Sequence, residues 1–187
     1  PEGSPGDRLM EQLGYRVRWH SWVLRLPEGA VVPERPLPEG YTLRAATEEE
    51  HPQVHDVQED AFLEWSARER DTFEEWRAGT VLRPGFEPWH LRVVLDPAGA
   101  VVAMAFLVMF PREDGQLEAY VDRLATRGDQ RGRGLAQALL VDAFGIAAEH
   151  GAVGSSLSTD SRTGALGLYE KVGMVVTQTW VNRAIAV

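Results

Sequence analysis

The chain contains no cysteine, which excludes a disulfide framework, a thiol nucleophile and a thiolate metal site. Its histidines, His20, His51, His55, His90 and His150, form no H-E-x-x-H or comparable grouping. His51 and His55 stand one helical turn apart and read as a solvated pair, so no metal site is expected. No apolar run approaches the ~18 to 20 residues needed to cross a bilayer, and the longest, Ala100 to Phe110, suits a buried strand. Basic charge is in deficit: the formal net charge of −9 counts against a nucleic-acid binder and suits a cationic acceptor. Pro1 to Asp7 lacks the basic and apolar regions of a signal peptide, so a cytoplasmic protein without membrane attachment is expected. The absence of an initial methionine reads as a processed or excised fragment.

What is present suffices for one buried core, with 187 residues of which 44% are hydrophobic and 25% charged. Tyr41 to Ala45 reads as a strand, and Thr47 with Glu50 as a capping box opening a helix that runs to about Phe62. A second helix starts at Asp71-Thr72 and ends near Gly79. Trp89 to Leu95 and Ala100 to Phe110 form a hairpin across Asp96-Pro97-Ala98-Gly99, and Leu117 to Thr126 is a third strand. A helix follows from about Arg133 to His150, its apolar stripe Leu135, Leu139, Ala143, Ile146 and Ala147 facing a sheet. Ser155 to Thr159 is a strand, Thr163 to Val172 a helix closed by Gly173, and Met174 to Val187 holds one or two final strands. The order predicts an α/β fold, a mixed sheet flanked by helices with a parallel strand-helix-strand unit at its centre.

The most informative stretch lies inside that unit. Arg131, Gly134 and Ala136 fit Arg/Gln-x-x-Gly-x-Gly/Ala, without the Gly-Lys-Ser/Thr of a Walker loop or the third glycine of a dinucleotide fingerprint. A glycine turn opening a helix presents unpaired backbone N–H groups at the positive end of the helix dipole, a seat for phosphate. An ordinary strand-to-helix turn is the alternative.

Together with Ala165-Leu166-Gly167-Leu168-Tyr169-Glu170-Lys171-Val172-Gly173-Met174, this stretch resembles the GNAT superfamily of acyl-CoA-dependent N-acyltransferases across residues 41–187. Through Glu59-Asp60-Ala61-Phe62, Thr72 to Arg77 and Arg83-Pro84-Gly85-Phe86 the chain is further similar to the carboxyl-terminal half of mycothiol synthase-type tandem GNAT proteins. The resemblance implies a GNAT-like, mainly antiparallel twisted sheet and acetyl-CoA as co-substrate. It places the coenzyme pyrophosphate on the amides of Arg131, Gly132, Arg133, Gly134, Leu135 and Ala136, and the pantetheine arm along Leu124, Ala125 and Thr126. Arg123, Arg127, Arg131 and Arg133 would add local positive charge, or else stand as solvated loop residues.

By the same resemblance Tyr169 donates a proton to the departing thiolate, its alternative being a packing tyrosine. The usual base glutamate aligns with Tyr120. Glu118 is the first substitute and Asp122 the second, since strand alternation puts all three on one face; either can equally be a solvated strand residue. An asparagine usual before the last helix is missing from Asp160-Ser161-Arg162-Thr163, which puts one polar contact to the cofactor in doubt. Trp65, Trp76 and Trp89 line an acceptor pocket or belong to the core, and Glu59, Asp60, Glu64, Glu69 and Asp71 attract an amine or form a solvated face.

Leu9-Met10-Glu11-Gln12-Leu13-Gly14-Tyr15 reappears as Leu168 to Met174 and, after a one-residue slip, Trp22-Val23-Leu24-Arg25 answers Trp180-Val181-Asn182-Arg183. Residues 1–26 then read as the tail of a preceding GNAT-like domain, 27–40 as a linker and 41–187 as the GNAT domain. The tail is expected to pack on the domain surface or on a second chain. Met10 stands where Tyr169 stands, which assigns any chemistry to the second domain. The expected activity is acetyl transfer to a small-molecule amine; the alternative is a non-catalytic acyl-CoA-binding or sensing domain. The expected partner is a homodimer mate or a preceding GNAT domain.

Overall fold

The computed structural model describes residues 1–185. In chain order its elements are α1 (Pro5–Gln12), β1 (Arg16–Arg25), β2 (Thr42–Ala45), α2 (His51–Leu63), α3 (Phe73–Gly79), β3 (Leu91–Leu95) and β4 (Val101–Pro111). They continue as β5 (Leu117–Thr126), α4 (Leu135–Glu149), β6 (Ala152–Asp160), α5 (Leu166–Glu170) and β7 (Val175–Ala184). The seven strands form one sheet in the order β2-β3-β4-β5-β6-β1-β7. Only β5 and β6 pair in parallel; the other neighbours are antiparallel.

The apolar run of β4 is buried on both faces, which explains its lack of alternation. On one face Met104 and Phe106 pack with Val54, Val57 and Ala61 of α2 and Trp76 of α3. On the other, Ala103 and Ala105 meet Leu135 and Leu139 of α4. The third cluster joins Leu24 of β1, Val121 of β5, Leu140 and Phe144 of α4, and Tyr169, Val172 and Met174 around α5.

The hairpin turn forms as expected: Gly99 takes φ +81°, and Asp96 Oδ1 accepts from the amides of Ala98 and Ala100. Two helices are shorter than their patterns. Left-handed Gly132 (φ +77°) and Gly134 (φ +82°) delay α4 to Leu135. Gly164 at φ +64° breaks the start of α5, while the Thr163 hydroxyl donates to Asp160 O and accepts from the Ala165 amide. The final stretch is a single strand, with residues 186 and 187 of the expected segment outside the described residues.

Residues 1–26 depart most from expectation. Rather than lying on the surface, β1 is inserted between β6 and β7 and paired to both, with Leu24 fully buried. Residues 27–40 are packed as well, with Val32 and Leu37 against two different core clusters. Arg35 Nη2 donates to Lys171 O at 2.7 Å.

Candidate active site

The pairing of β5 with β6 stops at Tyr120 and Ser156, after which the two strands part. Their gap opens into a cleft of about 1080 Å³ that the glycine turn, Asp122, Tyr169 and Trp65 all line. Parallel strands that separate at their carboxyl ends leave backbone groups without partners, and this is where open sheets bind ligands.

Three features of the cleft wall are ready for hydrogen bonding. First, the Arg127 amide donates to Val102 O at 2.9 Å, and in the β4–β5 register, with Thr126 opposite Ala103, this turns the N–H and C=O of Leu124 and the N–H of Thr126 toward the gap, the Thr126 carbonyl there being met by Arg131. Second, no side chain caps α4, so its first amides point outward unpaired. A Cβ at Gly132 or Gly134 would meet nothing within 4 Å, so the glycines answer to their left-handed backbone and leave open space in front of it. Third, Thr126 Oγ1 is buried without a hydrogen-bond partner, and Thr126 lines the cleft.

Arg131 is fixed across the mouth of this turn. Its guanidinium meets both Glu64 carboxylate oxygens at 2.5 and 2.8 Å, and its Nε donates to Thr126 O at 3.1 Å. The expected positive cluster is largely neutralised: Arg127 pairs with Asp129, and Arg123 with Asp122 at 3.4 Å. Arg133 is exposed and does not line the cleft. What the turn leaves unpaired is backbone amide more than guanidinium.

Tyr169 is 8% exposed and held among Leu140, Leu157 and Val172. Burial pushes its phenol up, the hydroxyl of Thr159 acts against this, and Tyr120 adds to the rise. Asp122 stands beside Arg123 and, at 3.9 Å, Arg83. The register shifts between Phe106–Arg123 and Leu107–Val121, so Asp122 is the extra residue of a β-bulge. The bulge breaks the alternation expected to align Glu118, Tyr120 and Asp122, and re-aims one carboxylate into the cleft.

Glu118 goes elsewhere. It is 1% exposed, bonded to the Arg25 guanidinium, with Arg112 at 3.8 Å, and it lines a separate pocket of about 250 Å³ with those two arginines. As first substitute for the base it is corrected by position: β1 brings Arg25 over it, and an ion pair holds it there.

Of the three tryptophans, Trp76 is core, its indole donating to Gln58 Oε1 at 3.0 Å. Trp89 stacks on His150, with centroids 4.0 Å apart. Only Trp65 reaches the cleft, where Arg162 lies between it (5.2 Å) and Trp19 (4.2 Å). Sequence reasoning missed Trp19 and Ser21, which β1 carries to this side, and the Arg131–Glu64 bridge. The expected acidic face is engaged: Glu59 is wholly buried against Arg68, and Asp60 binds Arg70. His55 is not solvated; it is buried, Nε2 lies 2.8 Å from Asp71 O, and the ring packs on Phe73 and Trp76. Among the described residues no cluster of three or more His, Asp or Glu is arranged to hold a metal, and no helix is long and apolar enough to cross a membrane.

A splayed parallel pair with an uncapped glycine turn at its mouth defines a ligand-binding α/β fold, and residues 51–174 match the model of the Acetyltransferase (GNAT) family. The chain belongs to that family. It is 29% identical over 183 residues to mycothiol acetyltransferase of Salinispora arenicola, and 31% over 185 residues to that of Salinispora tropica. Each match takes in 93% of this chain and 57% of the relative, so the chain spans little more than half the length of those proteins. Among solved structures, a GCN5-related N-acetyltransferase from Sphaerobacter thermophilus superposes with a TM-score of 0.74 at 30% identity, covering 94% of this chain and 54% of that one. A GCN5-related N-acetyltransferase from Kribbella flavida shares the fold, with a TM-score of 0.64 over 97% of this chain and 64% of that one at 24% identity.

Proposed function

We propose that this domain transfers an acetyl group from acetyl-CoA directly to a small amine. The observation that carries this reading is the convergence on one cleft of uncapped turn amides, outward-facing β5 backbone, Tyr169 and Asp122. The amides of Gly132 to Ala136 hold the pyrophosphate, and Leu124 and Thr126 hold the pantetheine arm by sheet-like bonds. Bound there, acetyl-CoA supplies a thioester carbon open to attack.

Two proton transfers fall to the chain's own residues. Asp122, turned into the cleft by its bulge, takes a proton from the incoming ammonium through water. The neutral amine then forms the C–N bond, and Tyr169, whose phenol burial pushes up, delivers a proton to the sulfur as the C–S bond breaks; the proton shed by the new amide nitrogen restores the phenol. Trp65 and Arg162 form the far wall, where an amine-bearing molecule stacks.

Thiol release from acetyl-CoA with a panel of small amines, run beside calorimetry with acetyl-CoA alone, tests the reading. Amine-dependent release is the expected result. Tight binding with no release for any amine turns the domain into an acyl-CoA sensor, a reading that Tyr120 at the usual base position and the capture of Glu118 support. No binding removes both readings.

A further inference from the structure

The pair β1/β7 maps onto itself. Leu9 and Leu168 are 159 positions apart, and moving every residue of β1 forward by that interval reproduces the whole ladder. Ser21–Trp180 becomes itself, Arg16–Ala184 exchanges with Arg25–Val175, and Val17–Arg183 exchanges with Leu24–Val176. Even the bulged residues, Arg18 in β1 and Thr177 in β7, are each other's images. Helix α1 precedes β1 as α5 precedes β7. The repeat seen in the sequence is therefore a two-fold arrangement in space, without the slip that the Trp22–Trp180 match suggests.

The far edge of β1 is filled by β6: Ser161 N donates to His20 O, and Leu26 N to Ser155 O, both at 2.9 Å. The corresponding far edge of β7 carries no strand among the described residues. Its first bond is nevertheless made, since Glu2 N donates to Thr179 O at 3.0 Å. The same interval that carries His20 to Thr179 carries Glu2 to Ser161. Pro1 and Glu2 thus occupy, on β7, the place that Asp160 and Ser161 occupy at the end of β6.

We propose that the outer edge of β7 seats the strand leading into Pro1 in a longer protein: the counterpart of β6 in a preceding domain of the same fold, antiparallel to β7. The two domains exchange final strands, β1 completing the sheet of this one and β7 completing that of its neighbour. A second copy of this chain does not fit the seat in this way, because its own β1 covers its β6. The edge is suited to a permanent partner. β7 is ten residues long with Arg183 its one charge, and it exposes Val175, Val176 and Trp180, whereas solvent-facing edges are commonly short, charged or interrupted by proline. The greater length of the Salinispora relatives leaves room for such a domain. This inference stands whether or not the cleft transfers an acyl group.

The test compares the 187-residue chain with the full-length product of its gene, each as wild type, Val181→Pro and Trp180→Pro. Because His20 faces β6, alternation turns Ser21 and its mate Trp180 toward each other and Val181 toward the free edge. Proline at an outward position removes no bond from the 187-residue chain. Val181→Pro is expected to shift its melting midpoint by less than about 2 °C, and to lower that of the full-length protein by roughly 5 °C or more. Trp180→Pro lowers both. Amide exchange at Thr179 and Val181 is expected to be about 100-fold slower in the full-length protein than in the 187-residue chain. Equal exchange in the two proteins, or a gene product with no domain upstream of Pro1, overturns the proposal. So does a dimer of the 187-residue chain that Val181→Pro dissociates, which gives the edge to a second copy.

Discussion

Tyr169 and Glu50 show surroundings moving a single group's proton affinity in opposite directions. Burial raises the phenol of Tyr169, so at neutral pH it is a donor and not a phenolate. Tyr169→Phe keeps the ring packed in its cluster and removes only the proton. Turnover is expected to fall by about 100-fold, the usual scale for a general acid, with acetyl-CoA affinity by calorimetry changed by less than about twofold; unaltered turnover would reject the acid role. Glu50 is a counterpart without chemistry. The Arg44 guanidinium, helped by the Thr47 amide and opposed by partial burial, holds its carboxyl at about 2 against an ordinary 4.5. A folded-state value below the unfolded one contributes stability that is present above pH 4.5 and is lost as pH falls toward 2. Glu50→Gln is expected to cost about 1 to 2 kcal/mol at pH 7, measured by urea unfolding, and to converge with the wild type near pH 2.

At the scale of elements, the cleft depends on how three of them end: β5 bulging at Asp122, α4 opening without a side-chain cap, and α5 shortened to five residues by Gly164. The opening of α4 is the most direct to perturb. Gly134 sits at φ +82°, and an alanine held there costs roughly 1 to 2 kcal/mol. The chain relieves that strain by turning the following amides. Gly134→Ala is therefore expected to weaken acetyl-CoA binding by about tenfold, equivalent to about 1.4 kcal/mol, while thermal stability drops by a few degrees. Full-strength binding by this variant would show that the turn does not hold the phosphates. The turn was legible in sequence because glycine at a strand-to-helix junction is a local signal, and so were β5, its bounds included, and the hairpin with its Asp96 and Gly99. The bulge was not: it is a mismatch of register with β4, and a strand's own alternation carries no trace of its partner's count. Nor was the fate of Glu118 legible, since Arg25 reaches it from 93 positions away.

For the whole molecule the decisive fact is the order of the strands. Sequence repetition marked residues 1–26 as foreign to the following domain, yet their place in the sheet rests on long-range pairing that no local pattern encodes. Strand β1 supplies Leu24 to the core, Arg25 to Glu118, Ser21 to the wall of the cleft and Trp19 to the stack beneath Arg162. Without it, β6 and β7 lose their shared partner and the sheet divides. A chain of residues 27–187 is accordingly expected to unfold without a sharp transition and to bind acetyl-CoA poorly. Residues 1–26 added as a separate peptide restore the missing strand. Anything that binds only the folded state raises its apparent stability as its concentration rises above the dissociation constant, so the melting midpoint recovered with peptide should climb with peptide concentration. A peptide with Leu24→Asp, which places a charge at a fully buried position, should restore nothing. If residues 27–187 alone melt as sharply and at the same temperature as the whole chain, β1 is an accessory to the domain and not one of its structural strands.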